Sequence, residues 1–538
     1  MVLKKNGIVF LRAAAITAVM SLSSAASYAT EYVVKLKQDA KQFSLSALQL
    51  KTTQGISILD THEQGRLVKI DLAQSKNLEG SARQLLEIMN DPNVEYVVAN
   101  TKFHMVGQPN DPSYSKQWSH KVVNSELAWD THTGSKDVVV AVIDTGVDAK
   151  HEDLRENIWT NPNEIAGNGI DDDGNGFVDD VHGWDFKAND ADPHDETSDK
   201  NPGHGTHCAG IVGAVGNNAT GVVGMSQSVS IMPVRFLGAD GSGDLYAGAK
   251  AIDYAANNNA HIISASWGAA VAESGAKPII EAIQRAQAKG VVFIAAAAND
   301  GKNNDVTPVF PANTDTDNMI VVAASQSDDT KPSWSNFGKA KVHVASPGHK
   351  ILSTLPGNKY GDLSGTSMAT PMVAGLAALL QSAQAEKITG PQMRAVLQST
   401  GVKVEIETAC DCRIDASKAL NHIVEKKMTM VPAAMTLAVD ESANFTVWNG
   451  TAPFKYTSSN PDVVTVSEGK VAAKKLGEAV ISITDSNNRN AQSLKIHVAE
   501  AQAPAQECPL GDPMMCLMMC LFQPEMPWCQ GGGGLPMP

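Results

Sequence analysis

Between residues 110 and 424, short unbroken apolar runs at 138–143, 231–236, 261–266, 291–297 and 319–323 alternate with alanine-rich stretches of helical character. A strand that is apolar at every position must be covered on both faces, so the pattern predicts an α/β fold with a parallel sheet between layers of helices. Ligands of such open sheets bind beyond the carboxyl ends of the strands. Polar residues at those ends are therefore the first candidates for chemistry.

The rest of the chain reads differently. With 538 residues there is room for about three or four folded units. Residues 1–29 carry Lys4 and Lys5, an apolar stretch at 8–22 broken by Arg12, and then Ser27-Tyr28-Ala29. This is the charged, apolar and small-residue order of a secretory signal cut after Ala29. The apolar part beyond Arg12 is shorter than the roughly 20 residues a membrane span needs. Export is expected, with the protein secreted or held at the cell surface. The seven cysteines would then meet an oxidising compartment.

Residues 30–105 show strands at 32–37, 66–72 and 94–98 and a helix at 81–89, a small α+β unit. The large unit occupies 106–426. Over 428–500 the helical signal stops, and short runs at 463–466, 470–473 and 479–483 separated by turn-rich Ser459-Asn460-Pro461 and Ser486-Asn487-Asn488 read as a β-sandwich. The stretch 501–538 holds four cysteines, several Met and Pro and the run Gly531 to Gly534, without periodicity, and is expected to carry no regular structure. Forty-three basic against 58 acidic residues give −15, which argues against a nucleic-acid partner, since such proteins present basic faces.

Three segments of the large unit put a reactive residue type at the end of an element. The run 138–143 leads into Asp144-Thr145-Gly146, His204 starts a small-residue helical segment, and Ser367 precedes an Ala/Leu-rich helix whose N-terminal N–H groups favour developing negative charge. Taken singly, Asp144 reads equally as a turn residue and His204 as a helix cap, and Ser367 reads first as an N-cap. Together they supply the carboxylate, base and nucleophile of a triad.

The segments VIDTGVD, HGTHCAG and SGTSMATP, in that order, resemble the signatures of the subtilisin-like serine proteases, and the likeness runs from Asn110 to about Leu420. It implies a secreted endopeptidase in which Ser367 is the nucleophile, His204 the general base and Asp144 its orienting partner. Asn299 matches the oxyanion-hole Asn, although Ala298 stands where the family usually has Gly. Gly241-Ser242-Gly243 and Ser266-Trp267-Gly268 match the two segments that accept a polypeptide substrate as an added strand. His207 read alone could suggest a transition-metal ligand. The resemblance makes it structural and makes Cys208 a buried free thiol, as in the thermitase and proteinase K branches. Six cysteines remain (Cys410, Cys412, Cys508, Cys516, Cys520 and Cys529), with fifteen possible pairings.

By the same resemblance, residues 30–105 are a self-cleaved inhibitory propeptide of ferredoxin-like fold. The sandwich is similar to bacterial Ig-like group 2 domains, either a spacer or a module contacting a cell surface or glycan. A structural calcium site of the thermitase type would draw side-chain oxygens from Asp111, Asp153 and Asn218 and carbonyls from Val215, Thr220 and Val222. A second calcium loop is read from residue spacing at 171–180: Asp171, Asp173, Asn175 and Asp179 fall at the first, third, fifth and ninth positions of an EF-hand-like loop, with Gly176 sixth and a Phe177 carbonyl seventh. His182 stands where that motif has Glu, so Asp180 or Asp185 would complete the shell. The competing readings are a solvated acidic turn at 171–180, an inactive family member, and a surface-binding protein that uses the protease fold as a scaffold.

Overall fold

The computed structural model describes residues 31–37, 56–62, 66–72, 85–100 and 108–500, and it divides after Val106 into two units. The N-terminal unit is a four-stranded antiparallel sheet of β1 (Glu31–Leu36), β2 (Ser57–His62), β3 (Leu67–Asp71) and β4 (Val94–Ala99), in the order β2-β3-β1-β4. Leu85 and Ile88, in a helical turn at 85–89, are buried with Val34, Val68 and Ile70. Only three of these strands are expected from the pattern. β2 reads Ser-Ile-Leu-Asp-Thr-His and is largely exposed, so no apolar alternation betrays it.

The second unit is built on a nine-stranded sheet. In chain order its elements are β5 (Gly134–Asp144), β6 (Trp184–Asp185), α1 (His204–Gly213), β7 (Ser228–Arg235), α2 (Leu245–Asn257), β8 (Ile262–Ala265), α3 (Glu273–Ala288), β9 (Val292–Ala296), β10 (Met319–Ser325) and β11 (Val344–Pro347). A hairpin, β12 (Ile351–Leu355) and β13 (Lys359–Leu363), precedes α4 (Thr366–Ser382), α5 (Gly390–Thr400), β14 (Val402–Lys403), β15 (Cys412–Arg413) and α6 (Ala416–Val424). The strand order is β14-β15-β11-β10-β9-β8-β5-β7-β6, parallel throughout except for the edge strand β14.

The apolar runs are explained by burial on both faces. In β5, Val138, Val140 and Val142 join the core under α1, α4, α5 and α6, while Val139, Ala141 and Ile143 join the core under α2 and α3. Because β7 pairs with one side of β5 and β8 with the other, the winding reverses direction there. Asp144 ends β5 at this switch point, the place where open sheets of this kind bind their ligands.

After α6 the chain forms short strands, beginning with β16 (Thr429–Val431) paired to 446–448, around a core that includes Met430, Phe445, Val464, Val471, Ile481 and Ile496. One expectation is corrected here. The run 479–483 is two strands: Ala479 pairs with Ile496 in one sheet and Ile481 with Ser458 in another. Val480 is the crossover, exchanging hydrogen bonds with Ser459 through its carbonyl and its N–H. Cys410 and Cys412 form a disulfide, and the four cysteines after residue 500 lie outside the described residues, as do residues 1–29.

Candidate active site

Asp144 is fully buried at the end of β5, and His204 opens α1 with about a quarter of its side chain exposed. The His204 Nδ1 lies 2.7 Å from Asp144 Oδ1. This approach requires glycine at 205, since a Cβ there would stand 2.1 Å from the Gly146 carbonyl oxygen and 3.1 Å from Asp144 Cβ. Burial opposes charging of the imidazole, but the adjacent Asp144 carboxylate outweighs it and holds the His204 pKa well above the usual 6.5. Nδ1–H donating to the carboxylate leaves Nε2 as the basic nitrogen.

Ser367 is the second residue of α4, half-buried at its N-terminus. Its hydroxyl donates to the Ser266 carbonyl at 3.3 Å, while its own carbonyl accepts from Ser266 Oγ at 2.8 Å and from Cys208 Sγ at 3.4 Å. Cys208 also lies 4.0 Å from His204 Nδ1, so one buried thiol touches the backbone of one residue and the ring of the other. Burial pushes that thiol up and keeps it protonated near neutral pH. His207 packs away from this group: it is buried, donates Nε2–H to the Gly361 carbonyl at 3.0 Å, and burial lowers its pKa to about 3.

Asn299 is exposed beside α4, and its Oδ1 accepts from Thr366 N at 2.9 Å and Thr366 Oγ1 at 3.0 Å. With the oxygen spent in this way, the Nδ2 group is the part of the amide left to donate. A point one Cβ bond from the Gly365 Cα lies 3.4 Å from Ser367 N and 3.5 Å from Asn299 Nδ2, so two N–H donors border one small space that glycine leaves open. Such a pair of fixed donors can hold an oxyanion.

The two segments expected to take a substrate strand meet through Phe236. Gly243 packs on its carbonyl, and the Trp267 ring meets its ring edge-on at a centroid distance of 4.9 Å. Trp267 is further held by Nε1–H donation to the Ile143 carbonyl at 2.9 Å. Residues 241–246 and 268–270 are exposed.

Of the expected metal ligands, Asp111, Asp153, Asn218, Thr220 and Val222 come together around the loop 215–222. Asp111 accepts from Asn217 N at 2.9 Å and Asn218 N at 3.4 Å, and Asp153 from Asn218 Nδ2 and Val222 N, both at 2.8 Å. Val215 joins through its N–H to the Asp153 carbonyl. Both carboxylates are buried, and among the described residues no Lys or Arg pairs with either. Burial, with Asp111 adding to it, pushes Asp153 up to about 6.

The loop 171–180 is arranged differently from the expectation. Asp171 spends both oxygens on the N–H groups of Asn175 and Gly176, and Asp179 turns to those of Gly167, Asn168 and Gly169. Asp173 and Asp180 converge with Glu164, a residue the spacing argument missed because it lies outside the loop. Asn175 donates to both Asp173 and Asp180. The Phe177 ring anchors the turn among Trp184, Phe186 and Tyr254. His182 is committed to the Trp159 carbonyl, and Asp185 is paired with Arg235 at 2.6 Å, so neither completes this cluster.

A doubly wound parallel sheet with an imidazole–carboxylate pair at its switch point and a helix-borne serine beside it defines a hydrolytic enzyme of the nucleophilic-serine class. Comparison with known proteins narrows this. Residues 135–425 match the subtilase family and 425–496 the bacterial Ig-like domain (group 2). Thermitase of Thermoactinomyces vulgaris is 39% identical over 297 residues, covering 55% of this chain and 92% of that protein. A thermophilic serine proteinase of Bacillus sp. strain AK1 is 36% identical over 337 residues, covering 62% and 74%. An extracellular protease of Xanthomonas campestris pv. campestris is 38% identical over 359 residues, covering 62% and 59%. The chain belongs to the subtilase family, and its activity is that of a subtilisin-like serine endopeptidase.

Proposed function

We propose that this protein is a secreted, self-processing, calcium-stabilised endopeptidase that uses Asp144, His204 and Ser367 as its triad. The observation that carries the reading is the 2.7 Å contact between His204 Nδ1 and buried Asp144, with Cys208 touching both the His204 ring and the Ser367 carbonyl. Ser367 Oγ attacks the scissile carbonyl as His204 Nε2 takes its proton. The negative oxygen of the tetrahedral intermediate is held by Ser367 N–H and Asn299 Nδ2. His204 then gives the proton to the leaving amine, the amide bond breaks, and water repeats the sequence on the acyl-enzyme. Asp144 keeps the imidazole in the right tautomer and stabilises its cationic form. The backbone of Gly241–Gly243, which is exposed, and that of Ser266–Gly268, exposed at Gly268, receives the substrate as an extended strand.

Residues 1–29 serve as the export signal, 30–105 as the propeptide that inhibits the enzyme until it is cut, 106–426 as the peptidase and 428–500 as an accessory Ig-like module. Supporting export, one relative is named an extracellular protease, and no helix among the described residues is long and apolar enough to cross a membrane. The uncompensated carboxylates of Asp111 and Asp153 fit a hard divalent cation, which would supply the missing positive charge; Asn218, Val215, Thr220 and Val222 offer further oxygens. Glu164, Asp173 and Asp180 are a second candidate set.

Casein cleavage by the purified precursor, with Ser367→Ala as control, tests the reading. The wild type should process itself near Met105 and degrade casein, and the variant should accumulate uncut. Processing of purified Ser367→Ala, or wild-type protein inert toward casein, would be incompatible with it.

A further inference from the structure

We infer that Asp195 is a positioning residue for acyl transfer, holding the ends of β5 and α1 together so that Asp144 and His204 keep their contact. This rests on the triad reading above. Asp195 is 1% exposed, and among the described residues no Lys, Arg or His pairs with it, yet its carboxylate is fully engaged. Oδ1 accepts from Thr145 Oγ1 at 2.9 Å and Asn201 Nδ2 at 3.0 Å, and Oδ2 from Thr206 N at 2.8 Å and Thr206 Oγ1 at 2.7 Å. Thr145 is the residue after Asp144; Thr206 is two residues after His204.

The partners extend the clamp. Helix α1 starts after Gly203, which has no side chain to cap it, so the first N–H groups depend on residues from elsewhere. Asn201 Oδ1 takes those of Gly203 and His204 at 3.0 and 2.8 Å, Thr145 Oγ1 that of Gly205 at 2.9 Å, and Asp195 that of Thr206. Every one of these acceptors is either Asp195 or a side chain hydrogen-bonded to it. A helix N-terminus carries roughly half a positive charge, which disfavours an imidazolium at its first residue. The Asp195 anion offsets that charge at the moment His204 becomes cationic. Arg235 fixes the supporting loop from behind, bridging Glu196 at 2.7 Å and Asp185 at 2.6 Å.

The effect on catalysis follows from geometry. Without the carboxylate, Thr145 and Thr206 have no common acceptor, and β5 and α1 can separate by fractions of an ångström. The substrate strands at 241–243 and 266–268 are not among the residues Asp195 touches, so substrate binding should change little while the chemical step suffers.

The test compares wild type, Asp195→Asn, Thr145→Val and Thr145→Ser on a peptide p-nitroanilide, with active sites counted by a fluorophosphonate. Asp195→Asn and Thr145→Val should each lose about 10- to 100-fold in kcat per labelled site, the order expected from small misplacements of reacting groups. KM should stay within about twofold, marking loss of an interaction made in the transition state. Thr145→Ser, which keeps the bridging hydroxyl, should retain most of the wild-type kcat. Native kcat per site in Asp195→Asn or Thr145→Val, whatever their thermal stability, would overturn the proposal. If Asp195→Asn does not fold, the Thr145 pair decides alone, and equal kcat in Val and Ser variants overturns it. Wild-type protein that neither takes up the fluorophosphonate nor cleaves the substrate would instead defeat the triad reading.

Discussion

Ala298 holds φ at 88°, immediately before Asn299, whose side-chain oxygen is pinned by both the N–H and the hydroxyl of Thr366. The backbone at 298 is thus in a region suited to glycine, the residue that the family usually has there. A non-glycine residue in left-handed backbone costs roughly 1–2 kcal/mol. Glycine's greater freedom in the unfolded chain costs roughly 0.4–1 kcal/mol. Ala298→Gly should therefore raise stability by up to about 1.6 kcal/mol in the Ser367→Ala background, with kcat unchanged in the active enzyme. A lower midpoint in thermal unfolding would mean that the alanine is not strained.

Asn299→Ala should act on rate. Loss of a single oxyanion donor in a subtilisin lowers kcat by about 10²–10³, and the same donor is proposed here. KM for a small peptide should move much less. A loss carried mainly by KM would reassign Asn299 to substrate contact.

The pH profile should favour alkaline conditions. Asp144 outweighs burial in setting the His204 pKa above 6.5, and the general base must be neutral, so kcat/KM should fall as pH drops through a value higher than that. Asp144→Asn should move this ascending limb downward and cut the rate severely through loss of the tautomer. A wild-type limb at or below 6.5 would contradict the assignment of the base.

Calcium dependence should itself depend on pH. The metal-free folded protein holds Asp153 near pKa 6, above the roughly 3.9 of an unfolded chain, so it binds more protons than the unfolded chain between these values. The contribution of Asp153 is then fully present below the unfolded value and lost as pH rises through about 6. Bound calcium should remove that loss. In Ser367→Ala protein the difference in Tm between calcium-saturated and chelator-treated samples should be large above pH 6 and shrink toward pH 4, roughly the unfolded carboxylate value. Asp153→Asn should show a small difference throughout, and a wild-type difference independent of pH would count against this site.

Removal of the Ig-like module should weaken the peptidase slightly without inactivating it. Ala395 on α5 is buried with Val431 and Ala433, and His422 on α6 hydrogen-bonds Thr429. Trp448 and Leu494 of the module also pack against the peptidase core, and none of these residues belongs to the proposed triad. Truncation after Val424 should lower Tm, at roughly 2–4 °C for each kcal/mol lost, and leave cleavage of a small peptide intact. An insoluble or inactive product would mean that the module is part of the catalytic unit.

Much of this architecture is legible in sequence because periodicity is a local consequence of burial. Continuous apolar runs in β5 and β8 to β10 reflect two covered faces, and the residues that end a strand or begin a helix next to them, Asp144, His204 and Ser367, stand out by position. What the local pattern could not carry are relationships between distant segments. Glu164 joins Asp173 and Asp180 only because the chain folds back, while Asp171 and Asp179, at good spacing for an ion, are drawn to backbone N–H groups that only the folded loop presents. The exposed strand β2 and the crossover at Val480 likewise take their state from the neighbours they pair with. Asp195 is the extreme case: no motif marks it, and its burial and four hydrogen bonds exist only where β5 meets α1. Local patterns of burial and residue type along the chain already mark the class of fold and the chemical groups. Which oxygens and N–H groups face one another is settled on folding, because hydrogen bonds and charges act over a few ångströms in space regardless of separation along the chain.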